Sequence, residues 1–229
     1  MRSDQLRHNP EQHKPKNTLS KGDDKKVAAA MLRVIDYLQS RMQLDAMGYE
    51  LEYIKQILLS ELIDVIRSYN KRVEFAEPTA PSACMRPDGG ILLLRSKSEP
   101  GFKRIVLAVE VKRQGTNDKR AAEGKALQSR GNAIERLGKN LIGFRAALQY
   151  ENVTPFICFG WGDDFKDGSS INDRVITMNE FYPLNRTFVF KREGYAPVSM
   201  YFREREWQVD ELFERMKEVA ETSVRAYIH

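Results

Sequence analysis

Apolar residues recur at helical spacing from Val27 through Met31, Val34, Ile35, Leu38 and Met42. This predicts an amphipathic helix, because every third or fourth side chain falls on one face. After Gly48 a second set, Leu51, Ile54, Leu58, Leu62, Val65 and Tyr69, predicts another. The pattern then shortens to β-type runs at 72–75, 91–94 and 105–112, punctuated by Gly89, Gly90, Pro100 and Gly101. A helix is expected over 132–150 and a strand at 155–159. Further strands are expected at 187–190 and 198–202, and a closing helix over 207–227 with Leu212, Met216, Val219 and Ala220 on one stripe. Such an order predicts an α/β fold, a central mixed β-sheet flanked by α-helices. Residues 1–24 are polar and interrupted by Pro10, Pro15, Asn17 and Gly22, so they read as an arm without a core of its own, and 25–229 as a single domain.

Composition narrows the partners. The 229 residues are 41% apolar, enough for one substantial core. Lys and Arg number 37 against 32 Asp and Glu, a net charge of +5. Local charge is more informative: from Lys112 to Arg145 nine basic residues face three acidic ones, giving +6 in one stretch. Charge alone leaves two readings, a solvated helix face or a surface that contacts phosphates. Cys84 and Cys158 stand in no metal spacing and read as buried thiols of a reducing compartment. No apolar run approaches the roughly 20 residues that span a bilayer, and no signal-like hydrophobic region opens the chain, so a cytoplasmic protein is expected. His8, His13 and His229 all lie near chain ends. Chemistry in the core must therefore use carboxylates, lysines or hydroxyls.

The run Ile105-Val-Leu-Ala-Val-Glu-Val-Lys112 is a buried strand ending in charges. Side chains alternate along a strand, so Glu110 and Lys112 share a side, about 6–7 Å apart. The turn Arg86-Pro-Asp-Gly-Gly90 puts Asp88 at the start of the preceding strand. Asp88 and Glu110 can supply the hard oxygen ligands that magnesium prefers, and Lys112 can orient a water and stabilise charge on a phosphate. Taken as spacing alone, the motif also fits a surface salt bridge between Glu110 and Lys112.

These residues resemble the PD-(D/E)xK nucleases and, within them, the EcoRI-type restriction endonucleases, the group that includes EcoRI and MunI. The resemblance rests on Pro87-Asp88-Gly89-Gly90, Glu110-Val-Lys-Arg-Gln-Gly115, Gly131-Asn-Ala-Ile-Glu-Arg136 and Lys139-Asn140, with weaker likeness at Glu11-Gln-His-Lys14, Leu184-Asn185-Arg186 and Arg205-Glu-Trp207. It implies a restriction-endonuclease-like fold and cleavage of double-stranded DNA by a homodimer, with Asp88, Glu110 and the Val111 carbonyl binding Mg2+ and Lys112 as the catalytic lysine. It also implies that Asn132, Ala133, Glu135 and Arg136, at a helix N-terminus, read an inner A-A-T-T. Asparagine can pair bidentately with adenine and alanine can pack on thymine methyls, which agrees with that role. Gln114 and Lys125 match family positions near DNA.

Arg130, directly before Gly131, resembles the arginine that reads the outer guanine in the MunI branch, which makes CAATTG the preferred site and GAATTC the alternative; a phosphate contact is the other reading of Arg130. Arg186 matches an outer-base position of the EcoRI branch, but Val189 stands where that branch has a second arginine three residues on. The stretch from Gly115 to Gly131 is shorter than the family's, implying a smaller DNA-enclosing arm. A 5′ A-A-T-T overhang and a protecting host methyltransferase, not a bound subunit, are further implications. Asp163-Asp164 reads as a loop after a core strand, Asp23-Asp24 as capping of the first helix, and the methionines as core filling. A structure-specific or repair nuclease of the same superfamily and a DNA-binding protein that does not cut are the rival readings.

Overall fold

The computed structural model describes residues 18–69, 78–115, 121–122, 124, 143–145, 147–148, 151–169, 172–173, 184–191 and 198–228. In chain order they form α1 (Thr18–Met42), β1 (Tyr49–Ile54), β2 (Ile57–Leu58), α2 (Leu59–Tyr69), β3 (Cys84–Met85), β4 (Gly90–Ser96), β5 (Lys103–Arg113), β6 (Phe156–Trp161), a 3-10 turn (Asp163–Phe165), β7 (Ser199–Arg203) and α3 (Val209–Ile228). The main sheet has the order β1-β4-β5-β6-β7. Its first three strands run antiparallel, while β5, β6 and β7 are parallel. The sheet is therefore mixed, as the alternation of elements predicts. Parallel strands need a long crossover, and the stretch between β5 and β6 supplies it. Its described part is helical at 143–145 and 147, within the expected helix over 132–150.

Each face of the sheet packs on helices. One face carries Leu92, Leu94, Leu107, Val109, Ile157 and Phe159 against Val27, Met31, Val34 and Leu38 of α1 and Leu212, Met216, Val219 and Ala220 of α3. The other carries Ile91, Leu93, Ala108, Phe156 and Cys158 against Leu62, Val65 and Ile66 of α2 and against Phe144 and Leu148. Strand β6 is buried on both sides, the normal state of a strand in the parallel part of a covered sheet. Between Leu92 and Leu93 the β4–β5 register slips: Leu92 faces Leu107 while Leu93 faces Ile105, so Val106 is an extra residue on β5. Val106 and Leu107, consecutive in sequence, thus both join the α1–α3 face.

Four expectations change. Helix α1 begins at Thr18, so residues 18–24, expected in the arm, are helical. Gly22 is tolerated inside it at a cost of about 1 kcal/mol relative to alanine. The second helix is confined to 59–69, and its expected first turns are strand β1. There Tyr49, Leu51 and Tyr53 alternate with Glu50 and Glu52, a period of two that also satisfies widely spaced helical matches. Glu52 pairs across the sheet with Arg95 at 3.2 Å and Lys103 at 3.5 Å, which stabilises β1 as an edge strand. The run 187–190 is no strand of the sheet; it follows residues 152–154, with one bridge from Val153 to Phe190 and a Thr154 N–H donating to the Val189 carbonyl at 2.6 Å. Finally, Cys158 is buried but Cys84 is exposed on β3. The expected strand at 72–75 lies outside the described residues.

Candidate active site

The turn that opens β4 is shaped by its glycines. The Gly90 N–H donates to the Pro87 carbonyl at 3.0 Å, and the Gly89 N–H donates to the Val109 carbonyl of β5 at 2.8 Å. Gly90 has φ +78, a conformation L side chains avoid. A Cβ on Gly89 would lie 2.6 Å from side-chain carbons of both Val109 and Val27. The pair therefore lets α1 and β5 close on the turn from two directions, which brings Asp88 to the end of β5.

Three charged groups meet there. The Asp88 N–H donates to Glu110 Oε2 at 3.1 Å. Lys112 Nζ donates to Asp88 Oδ2 at 2.7 Å and also contacts Glu110 Oε1. Glu110 is 1% exposed, so its pairing with Lys112 is a buried contact and not a surface salt bridge. Burial lifts the Glu110 pKa above the usual carboxylate value while Lys112 pulls it back. Burial also works against the charge of Lys112, but Glu110 and Asp88 outweigh it and hold its pKa above that of an ordinary lysine. One ammonium thus bridges a buried carboxylate, Glu110, and an exposed one, Asp88, and the three groups together carry one net negative charge.

This arrangement can hold a hard divalent cation. Among the described residues no three His, Cys, Asp or Glu side chains form a metal cluster. The donors at hand are two carboxylates and the Val111 carbonyl next to Glu110 in sequence, a set that fits an ion retaining water and binding a phosphate oxygen. The next basic residue, Arg113, turns to the opposite side, its guanidinium 5.6 Å from the centroid of the Trp161 ring. Gln114 is buried at 2% exposure, its N–H donating to the Trp161 carbonyl at 3.0 Å. At Gly115 (φ +79) a Cβ would lie 2.4 Å from the Asp164 backbone nitrogen, so the 3-10 turn seals the end of β5. Asp163 and Asp164 belong to that turn, in keeping with a loop after a core strand.

Of the remaining expected site residues, Arg186 is exposed beside Asn185, whose φ is +56 and whose Oδ1 accepts from the Phe202 N–H at 3.1 Å. Lys125, Arg130, Asn132, Ala133, Glu135 and Arg136 lie outside the described residues.

The chain resembles known proteins along most of its length. The profile of the family described as "Restriction endonuclease EcoRI" matches residues 16–228. The chain belongs to the EcoRI family of restriction endonucleases. The type II restriction enzyme RsrI of Cereibacter sphaeroides is 28% identical over 196 residues, covering 70% of this chain and 70% of RsrI. The type II restriction enzyme EcoRI of Escherichia coli is 28% identical over 182 residues, covering 63% of this chain and 65% of EcoRI. Family membership makes the protein a nuclease and its fold restriction-endonuclease-like, and restriction enzymes of this family act on double-stranded DNA. No helix among the described residues is long and apolar enough to cross a membrane.

Residues that the motif reading missed also reach this site. Asp24, expected as a helix cap, lies beyond the first turn of α1, one turn before the Val27 that touches Gly89. Burial and the nearby charge of Asp88 raise its pKa, against the charges of Lys55, Arg86 and Lys112. Tyr53 donates its hydroxyl proton to the Gly89 carbonyl at 3.1 Å. The signal for Tyr53 lies in the Tyr-Glu-Leu-Glu-Tyr alternation, which the helical reading absorbs. Asp24 has no such signal, because the charges that act on it come from distant parts of the chain.

Proposed function

We propose that the protein is a magnesium-dependent type II restriction endonuclease that acts as a homodimer on a palindromic hexamer with an A-A-T-T core, CAATTG first and GAATTC as the alternative. The convergence of Asp88, Glu110 and Lys112, with Lys112 2.7 Å from Asp88, carries this reading. Asp88, Glu110 and the Val111 carbonyl would hold the metal. When bound, magnesium supplies a water of lowered pKa and neutralises charge on the phosphate. Lys112, relieved of part of its duty to the two carboxylates, turns its ammonium to the scissile phosphate, where it orients the attacking water and stabilises the charge that develops. The turn glycines keep Asp88 in place, so little reorganisation is needed at the moment of reaction.

Specificity is assigned to Asn132, Ala133, Glu135 and Arg136 for the inner bases and to Arg130 for the outer pair, with Gln114, Lys125 and Arg186 as further DNA contacts. The physical support is that asparagine and arginine offer bidentate groups to purine edges. A palindrome presents two equivalent half-sites, and a two-fold dimer presents one site to each strand. A protecting methyltransferase in the host completes the reading.

The test is a plasmid carrying one CAATTG and one GAATTC, incubated with magnesium and, separately, with excess EDTA. Cutting at CAATTG with 5′ A-A-T-T ends and none in EDTA is expected. Cutting at GAATTC alone would move the outer-base assignment away from Arg130. Cleavage only of branched or damaged DNA would replace the site-specific reading altogether.

A further inference from the structure

The candidate site has a second cationic side, built on β1 and the residue after it. Lys55 follows the end of β1, and its Nζ hydrogen-bonds the Tyr53 hydroxyl. The same ammonium stands 4.6 Å from the centroid of the Tyr53 ring. Tyr53 in turn donates to the Gly89 carbonyl at 3.1 Å, and its ring packs so closely that a Cβ on Gly90 would lie 2.6 Å from Cε2. A chain of two hydrogen bonds therefore fixes Lys55 to the turn that presents Asp88. The charges of Asp88, Lys55, Arg86 and Lys112 all bear on Asp24 of α1. Lys55 is itself exposed to solvent.

This geometry suits an anion that arrives from outside. A phenol is neutral, so it orients the ammonium by hydrogen bond without cancelling its charge. Lysine binds phosphate as a point charge, and holding its flexible stem in advance lowers the entropy lost on binding. Lys112, by contrast, is 17% exposed and engaged by two carboxylates. Resting on the nuclease reading above, we propose that Lys55 is a DNA-contact residue. It binds a backbone phosphate flanking the one at Asp88 and Glu110, and Tyr53 is the positioning residue that holds Lys55 against the Asp88 turn.

The experiment measures binding of the full chain to a duplex carrying the hexamer at which the wild-type protein cuts, without divalent metal, over a series of salt concentrations. Loss of one phosphate contact in each subunit of the dimer flattens the slope of log K against log salt by about 1.8. Lys55→Gln should show that flattening and Lys55→Arg should restore it. In cleavage assays Lys55→Gln should raise KM with kcat within about twofold, the sign of a contact made equally in ground and transition states. Replacing phosphates one at a time by uncharged methylphosphonates should then find one position that weakens the wild type but not Lys55→Gln. An unchanged salt slope in Lys55→Gln, or no such phosphate, would overturn the assignment and leave Lys55 as a balance for Asp24 and Asp88. A wild-type protein that cuts no duplex would instead remove the nuclease reading on which this rests.

Discussion

Two clusters of opposite charge contrast within this molecule. At the Asp88 turn, two carboxylates share one ammonium, and one of them, Glu110, is 1% exposed. At the start of α3 the ratio is reversed. Glu211 accepts from Arg203 at 2.8 and 2.5 Å, from Arg205 at 2.6 Å and from the Gln208 N–H at 3.0 Å. Those hydrogen bonds, Arg203 first, hold the Glu211 carboxyl down to about 2. The guanidinium of Arg203 also lies 3.6 Å from the centroid of the Trp207 ring. Glu211 is thus a saturated helix cap, in a cluster where cations exceed the carboxylate they serve. At the Asp88 turn the two carboxylates outnumber the one ammonium that touches them, Glu110 buried and Asp88 open to solvent, so the site keeps a demand that a metal ion can meet. The balance of donors against acceptors, and not the presence of charge, separates the structural cluster from the one suited to chemistry.

Substitution can break this comparison at its strongest point. Lys112→Ala should lower the cleavage rate by roughly 10³-fold or more while leaving site-specific binding largely intact, since the lysine acts on charge that develops in the reaction. Plasmid cleavage beside gel-shift titration measures both, and retained cleavage would take Lys112 out of the chemistry. Glu211→Ala should do the reverse. Losing a charge-assisted cap costs about 2 kcal/mol of stability, seen in urea denaturation, with the cleavage rate per folded molecule unchanged. Because the folded pKa of Glu211 is depressed, its contribution is present above the unfolded carboxylate pKa and fades as pH falls toward 2.

A smaller effect is expected at Asp23, which is buried in α1 and not placed as a cap. Burial, opposed by Arg113 and reinforced by Glu206, raises its pKa from 3.8 to about 6. A raised carboxylate binds its proton more tightly in the folded state, so stability is lost as pH rises from about 4 to 6. Asp23→Asn removes that loss. It should stabilise the protein by about 1 kcal/mol at pH 7.5, with the gain closing toward pH 4. Melting curves at both pH values decide it, and an equal shift at both would show that the proton is not involved.

Much of the site is legible in the chain itself, because motif residues there are held by local rules. Pro-Asp-Gly-Gly describes a turn, and Glu-x-Lys on a strand describes two charges on one side. The strands at 91–94 and 105–112 and the stripe on α3 follow equally from their periods. Sequence reading fails where a short segment satisfies two periods at once. Tyr49 to Ile54 matches a helix loosely and a strand better, and only pairing with β4 decides between them. It fails again for Asp24, Tyr53 and Lys55, whose roles depend on neighbours far along the chain.

What the sequence determined alone is that Glu110 and Lys112 lie on the same side of β5, since residues two apart face the same way wherever a strand keeps its regular alternation. Which side that is, the tertiary structure decided. Val106 is inserted as an extra residue between the partners of Leu92 and Leu93. Past it the alternation changes phase, so Ala108 joins the α2 face and Val109 the α1–α3 face. Glu110 and Lys112 keep the phase of Ala108. A strand without the bulge would turn both toward the α1–α3 face, because one residue of slip exchanges every side chain between the two faces of a sheet.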